Sequence, residues 1–331
     1  FGRGVGLAGA SFPSGVSNMS HISSGSVVQL GRDGAVNVLS GAADIGQGAE
    51  TVISQIVAEE LGVLLEDVRI TAADTGLTPL DPGTFGSGVT VRAGNAARLA
   101  AVEAKEKLFE FVAGKLEANP EDLVARNREI FVKGSPGTKI SMKDAIKGYQ
   151  YADLPMPIVG RGSWMAPADE PTTLFKQDGN FAPNYSFMTQ AAEVEVDLIT
   201  GQVKLLRMVT AHDCGRPINP MLVEGQLEGS VVGGMGQALY EDVIVEKGQV
   251  MNPSFLDYGF PTFLEMPEIE AIEVETDDPI GPFGAKEAGE GTQLSPAPAI
   301  VNAIYDAIGV DFMELPITPE KILKALDKKG K

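Results

Sequence analysis

The sequence has almost no sulfur or imidazole chemistry of its own. One cysteine, Cys214, stands among 331 residues, which excludes an intrachain disulfide framework and any zinc or iron–sulfur site built from cysteines alone. Histidine occurs only as His21 and His212, too few for an all-protein metal centre of the imidazole kind. A metal in this protein therefore has to arrive on a cofactor. Cations are scarce as well: 26 Lys and Arg face 45 Asp and Glu, a net charge of −19. Phosphate backbones are bound by clustered cations, and the only basic run is the terminal KALDKKGK, so nucleic acid is excluded as a partner. No run of about 18 apolar residues exists to span a bilayer. The opening FGRGVGLAGASFPSG lacks the charged, apolar, small-residue order of a signal peptide, and the expected location is the cytoplasm.

Glycine is plentiful, with 39 residues, and hydrophobic residues make up 44%, enough for two or three modest domains. β-rich runs at 27–30 and 35–39 flank GRDG and predict a hairpin. SGAADIGQGAETVISQIVAEELGV follows, with Val52, Ile53, Ile56, Val57 and Leu61 at helical spacing after a glycine turn. A strand is expected at 67–72, then a long turn-rich stretch, ADTGLTPLDPGTFGSGVTVRAGNAA, then a helix over 92–116. Long stretches of this kind between patterned elements are usually functional. A strand at REIFVKG and a helix starting at SMKDAI come next, and 155–183 shows little periodicity.

From Gln190 the first pattern returns, AAEVEVD and QVKLLRMVTA flanking LITG. Each half offers a hairpin, a strand ending near an Asp, and a helix start bearing Gly-Gln: Asp44 with Gly46 and Gln47, Asp213 with Gly225 and Gln226. This is a faint duplication of about 40 residues per unit. A strand at IEAIEVET, a helix over 297–308 and a terminal helix after Thr318 complete the chain. The expected fold is α+β, with two related subdomains, 1–170 and 171–331.

The stretch GPFGAKEAGEGTQ sets Lys286, Glu287 and Glu290 among glycines. A carboxylate there is either solvated or aimed at a ligand as a general base, and Lys286 could pair with either glutamate at the surface. IGQG reads as a helix cap or a ligand turn. GTFGSGVT offers Thr84, Ser87 and Thr90 hydroxyls with backbone N–H groups, which suit a phosphate-bearing ligand, or else it is a surface loop. Gln226 opens a glycine-bearing helix, read either as close packing or as a donor to a ligand. Cys214 beside His212 reads as a small buried hydrophobe or as a catalytic pair. No dinucleotide fingerprint and no P-loop is present.

In order, GAADIGQGAETVISQIVAEELGV, DTGLTPLDPGTFGSGVTVRAGNAA, TAHDCGRPINPMLVEGQLEGSVVGGMGQALYED, DYGFPT and GPFGAKEAGEG with PAIVNAIYDAIG resemble the molybdenum-binding subunit of the xanthine dehydrogenase/aldehyde oxidase family of molybdenum hydroxylases. The resemblance runs nearly end to end but covers only the second half of the family's usual subunit. It is similar to split enzymes of the nicotinate dehydrogenase type, and GAKEAGEG also to 4-hydroxybenzoyl-CoA reductase.

The resemblance implies a molybdopterin-binding fold of xanthine dehydrogenase type, holding molybdenum on molybdopterin cytosine dinucleotide. It implies Ile45, Gly46 and Gln47 as one cofactor turn, Gly86, Ser87, Gly88, Val89 and Thr90 as a second, Gln226 as a further cofactor ligand and Glu290 as catalytic base. No protein side chain is implied as a metal ligand. The implied reaction hydroxylates an N-heteroaromatic or aldehyde carbon with water-derived oxygen; reductive dehydroxylation of a hydroxyaryl-CoA is the alternative, and a pterin-binding scaffold or chaperone is the non-enzymatic one. A larger molybdenum subunit, a 2Fe–2S chain and an FAD chain are the implied partners in a hetero-oligomer. Two departures stand out: many relatives read GSR where Gly88 follows Ser87, and two prolines often follow the glutamate where Gly291 and Thr292 stand.

Overall fold

The computed structural model describes residues 1–14, 23–152, 157–166, 182 and 184–329. His21 and the expected boundary at 170/171 lie outside the described residues. By its contacts the chain divides into two units that interleave along the sequence. The first comprises Pro13–Asn184 and Asp277–Glu287; the second comprises Phe1–Phe12, Tyr185–Thr276 and Ala288–Lys331.

In the first unit, alternation sets Val28 and Leu30 of β2 (Ser23–Leu30) inward with Val36 and Val38 of β3 (Val36–Ser40), since successive strand side chains face opposite sides. The pair forms the expected hairpin, Val28 opposite Val38. Helix α1 (Ala49–Leu61) buries Ile53, Ile56, Val57 and Leu61, the face its spacing predicts. The chain returns as β4 (Val68–Ala72), parallel to β3. Helix α2 (Val89–Leu116) begins at Val89 rather than Arg92, with Gly88 at its cap. A small antiparallel sheet of β5 (Leu123–Arg126), β6 (Glu129–Val132) and β7 (Ser135–Ser141) leads into α3 (Met142–Tyr151). Ser141 caps α3 by accepting from the Asp144 N–H. Then β8 (Ile158–Met165) joins β2, giving the sheet order β4-β3-β2-β8.

The second unit repeats this plan. Strands β9 (Asn184–Val196) and β10 (Val203–Asp213) form an antiparallel hairpin, helix α4 (Pro220–Leu239) crosses over, and the chain continues through the short hairpin β11 (Val245–Glu246) and β12 (Gln249–Val250) to β13 (Glu268–Val274), parallel to β10. The sheet order is β1-β9-β10-β13, with β1 (Gly2–Ser14) at the edge. Helices α5 (Pro296–Ile308) and α6 (Pro319–Lys329) close the unit. One expectation needs correction. Helix α4 starts at Pro220 and not at Gly225–Gln226, because Asn219 caps it by accepting from Leu222 N–H and Pro220 supplies a helical φ at the first position. Gln226 therefore sits inside the helix.

The outermost strand of each sheet carries glycine where a hydrophobic side chain would normally face inward. A Cβ on Gly160 of β8 would lie 1.9 Å from Ala100 O of α2, and one on Gly162 would lie 2.0 Å from Ala96 O. On β1, a Cβ on Gly4 would lie 2.2 Å from Ala303 O of α5, and one on Gly6 would lie 2.1 Å from Ala303 N. Helix backbone thus rests directly on strand backbone in both units. Overfilling such a contact forces the elements apart. Gly162→Ala should lower the unfolding free energy by about 2–3 kcal/mol, read from the urea midpoint. Gly137→Ala, with open space around it, should stay within about 1 kcal/mol of the parent. Equal midpoints for the two would remove close approach as the constraint.

Candidate cofactor site and active-site loop

In the first unit the chain leaves β3 into a turn that is closed on itself. Asp44 Oδ1 accepts from Gly46 N at 2.8 Å and Oδ2 from Glu50 N at 3.3 Å. Burial tends to raise the Asp44 pKa, but the backbone N–H groups of Gly46, Glu50, Gly48 and Ala49 outweigh it and hold the carboxyl below its ordinary range. Gln47 folds back, its Oε1 accepting from Ile45 N at 2.7 Å and its Nε2 donating to Ala43 O at 3.3 Å. The N-terminus of α1 is thus occupied by a carboxylate, and what the turn presents outward is Ile45, 72% exposed.

The second turn differs in sign. Thr84 Oγ1 donates to Ala43 O at 2.6 Å, tying it beside the first, and Asp81 accepts from Gly83 N at 2.9 Å and Ser24 Oγ at 2.5 Å. Gly86 and Ser87 are left-handed, φ 59 and 48, and deliver the chain to Gly88 at the start of α2. No side chain caps α2 and no acid lies in its first turn, although the first N–H groups of any helix lack intrahelical partners. One turn in sits Arg92, fully buried. Its Nη2 donates to Gly83 O at 3.1 Å and Phe85 O at 3.2 Å, and its guanidinium lies 5.0 Å from the Phe85 ring. Its Nε and Nη1 have no acceptor. Burial lowers the Arg92 pKa, with Asp81 opposing, yet a guanidinium stays charged at any working pH. A buried cation with open donors calls for an anion.

The loop GPFGAKEAGEGTQ has its two halves in different units. Its first half is fastened to α2: Asn95 Nδ2 donates to Ile280 O at 2.8 Å, Pro282 packs at Gly94, and Arg98 stacks 4.5 Å from the Phe283 ring. Lys286 and Glu287 are 7% and 1% exposed, so Lys286 lies inside the protein and not at the surface where it was expected. In the second unit, Glu290–Gln293 forms a single 3₁₀ turn in which Gly291 and Thr292 are buried and Glu290 faces out. Three contacts hold that turn. Thr292 Oγ1 donates to Gly289 O at 2.7 Å, and the fully buried Gln190 donates through Nε2 to Thr292 O at 2.9 Å and Thr210 Oγ1 at 2.8 Å. Gln293 lies against α4 where Gly233 leaves room. Gln226, half-buried, lies two turns before Gly233 on the same face of α4.

The glycines of α4 thus divide. Gly233, Gly234 and Gly236 admit Gln293, Pro296 and Glu241, whereas Gly225 and Gly229 face open space. Cys214 is buried, and burial first, then Glu273, pushes its thiol up to about 12, so it is inert at neutral pH. Among the described residues no group of three His, Cys, Asp or Glu side chains is placed to hold a metal ion. Arg92 and Gln190 are the two residues that motif reading passed over. The only signal for Arg92 was a single cation in the small, apolar run VTVRAGNAA.

A family model described as molybdopterin cofactor-binding domain matches residues 1–267. Subunit gamma of the 6-hydroxypseudooxynicotine dehydrogenase complex of Paenarthrobacter nicotinovorans is 38% identical over 89% of this chain and 36% of its own length. The xanthine dehydrogenase molybdenum-binding subunit of Escherichia coli O157:H7 is 34% identical over 99% of this chain and 42% of its own. Among solved structures, quinoline 2-oxidoreductase from Pseudomonas putida 86 superposes with a TM-score of 0.87 at 29% identity, over 98% of this chain and 42% of that one. The chain spans less than half the length of these relatives. With a matching family model over most of its length and relatives 38% and 34% identical over nearly all of it, the chain belongs to the molybdopterin cofactor-binding domain family of the molybdenum hydroxylases.

Proposed function

We propose that the chain is the cofactor-binding, base-carrying part of a molybdenum hydroxylase acting on an N-heteroaromatic or aldehyde carbon. The observation that carries this reading is the start of α2, where an uncapped helix end and a fully buried arginine with two open donors meet a glycine turn. An acceptor-only group such as a phosphate satisfies both features together, and a dinucleotide form of molybdopterin, here the cytosine dinucleotide, carries a diphosphate. When bound, the molybdenum centre supplies two-electron redox chemistry and Lewis acidity.

The residues of this chain do the rest. Gly86, Ser87, Gly88, Val89 and Thr90 offer backbone N–H groups and hydroxyls to the diphosphate, with Arg92 beneath them as the fixed counter-charge. Ile45, Gly46 and Gln47 form an apolar-tipped turn for the pterin. Gln226 offers an amide from α4. Glu290 accepts at its carboxylate the proton of the water-derived hydroxyl that attacks the substrate carbon, and Gln190 keeps the turn beneath it from shifting. Relatives named for quinoline and nicotine support an N-heteroaromatic as the substrate class. The partners in this reading are a larger molybdenum subunit, a 2Fe–2S chain and an FAD chain, in the cytoplasm.

Two substitutions test it in the enzyme purified from its own cells. Glu290→Gln should retain molybdenum, measured by elemental analysis, and lose turnover by about 10²–10⁴-fold, the usual contribution of a positioned base. Undiminished turnover would remove Glu290 from that role. Arg92→Met, which keeps the volume without the donors, should reduce bound pterin by about tenfold or more at limiting cofactor, read by the fluorescence of the oxidised pterin. Full pterin occupancy in Arg92→Met would show that the buried guanidinium serves only the loop carbonyls.

A further inference from the structure

We infer that the outward face of the second unit's sheet, the face turned away from α4 and α5, is an interface that joins two copies of this chain.

The strand register places the side chains of that face row by row. Between β1 and β9, Arg3 Nε lies 2.9 Å from Glu195 Oε2, a Cβ on Gly9 would lie 3.5 Å from Thr189 Oγ1, and Ser186 Oγ donates to Phe12 O at 3.4 Å. These contacts define an antiparallel register that sets Leu7 beside Ala191. Ala191 is opposite Val209 on β10, and Val209 is beside Glu270 on β13. In the next row Gly9 and Thr189 meet Ala211 and Ile272, so the rows are contiguous across all four strands. Val5, Leu7 and Phe187 are 59%, 60% and 59% exposed, Ile272 and Val274 are exposed as well, and Ala191, Val209 and Ala211 are half-buried among them. Asp213, beside Val274, is engaged by Gly215 N and Thr276 Oγ1.

The first unit offers an internal comparison. Its sheet is built on the same plan, yet the exposed residues of its outward face are Gln29, Asn37, Arg69, Thr71, Arg161 and Ser163, with Met165 at the end of β8. Apolar inside and polar outside is the usual pattern for a sheet with one face in water. The second sheet departs from it on the same frame, and a contiguous apolar face of this kind marks an interaction site.

Breadth and charge select the occupant. Four strands about 4.8 Å apart and about 30 Å long make a face of roughly 600 Å², against roughly 800 Å² per partner in a standard interface. An α-helix is about 10 Å across and covers half of that width, whereas a second four-stranded sheet covers all of it, as in stacked sheets. The chain as a whole is strongly acidic, with 26 Lys and Arg against 45 Asp and Glu. The charges bordering the apolar rows, at the end next to the β9–β10 turn, are instead mixed: Arg3, Lys204 and Arg207 stand with Glu193, Glu195, Glu268 and Glu270, and Arg3 pairs with Glu195 and Arg207 with Glu270. A border of both signs complements itself, as an identical partner requires. Pairing along the β1 edge is blocked, because Asp306 accepts from Val5 N at 2.9 Å and Asn302 donates to Leu7 O at 2.8 Å. Association is therefore face to face.

Native mass spectrometry of the protein purified from its own cells, with any accompanying chains, counts the copies of this chain per particle, and hydroxyl-radical oxidation reads whether Phe187 is covered. Two copies and a protected Phe187 are expected. The double variant Leu7→Lys with Ile272→Lys puts charge on the apolar rows at exposed positions; it should keep the parent circular-dichroism spectrum, carry one copy per particle and leave Phe187 open. Leu7→Ser with Ile272→Ser, which adds no charge, should weaken the pairing at least about tenfold. Gln29→Lys, on the polar face of the first sheet, should keep two copies. One copy per particle in the parent overturns the inference, and a protected Phe187 in that particle would assign the face to a different chain. Two copies in the double lysine variant overturn it as well, because the chain then pairs through another surface.

Discussion

Two helices lie on two strands with no side chain between them, and the positions of the turn at the head of α2 and of the turn that carries Glu290 follow from that contact. Alanine carbonyls of α2 and α5 occupy the places where Cβ atoms would stand on Gly160, Gly162, Gly4 and Gly6. Contact at backbone distance leaves little freedom to slide or tilt, because a close-packed interior has few alternative arrangements. In the first unit this fixes α2, and with it the turn that feeds its N-terminus. In the second it fixes α5, and the turn that feeds its N-terminus is the one that carries Glu290. A glycine-lined edge strand thus serves as the ruler for a loop at the far end of a helix.

The same frame then carries opposite chemistry in its two versions. Each unit runs hairpin, crossover helix, parallel strand, and ends its sheet on a glycine strand against an alanine-rich helix. At the head of α2 the frame presents an uncapped helix end over a buried guanidinium. At the head of α5 it presents an exposed carboxylate on a turn pinned by Gln190 and Thr292. One version presents a buried positive charge and the other an exposed carboxylate. The duplication supplies rigidity, and the few residues that differ between the two supply the division of labour.

Much of this was legible in the residues, and what was not has physical causes. The hairpins around GRDG and LITG, helix α1 and strand β4 follow from apolar periodicity alone, because their buried faces are lined by large side chains. Strands β1 and β8 escaped the pattern since their inward positions are glycines, and a period-two signal vanishes when the inward residue has no side chain. The α4 start was misplaced because Gly225–Gln226 resembles the Gly46–Gln47 turn in letters, while Asn219 and Pro220 decide the cap. Arg92 was overlooked because a cation in a helix is normally on its wet face. Here Val91 through Ala97 are buried without a break, so there is no wet face to choose. Lys286 was misjudged for the same reason: a lysine among glycines reads as a surface residue, yet the loop folds down onto α2 and takes it inside.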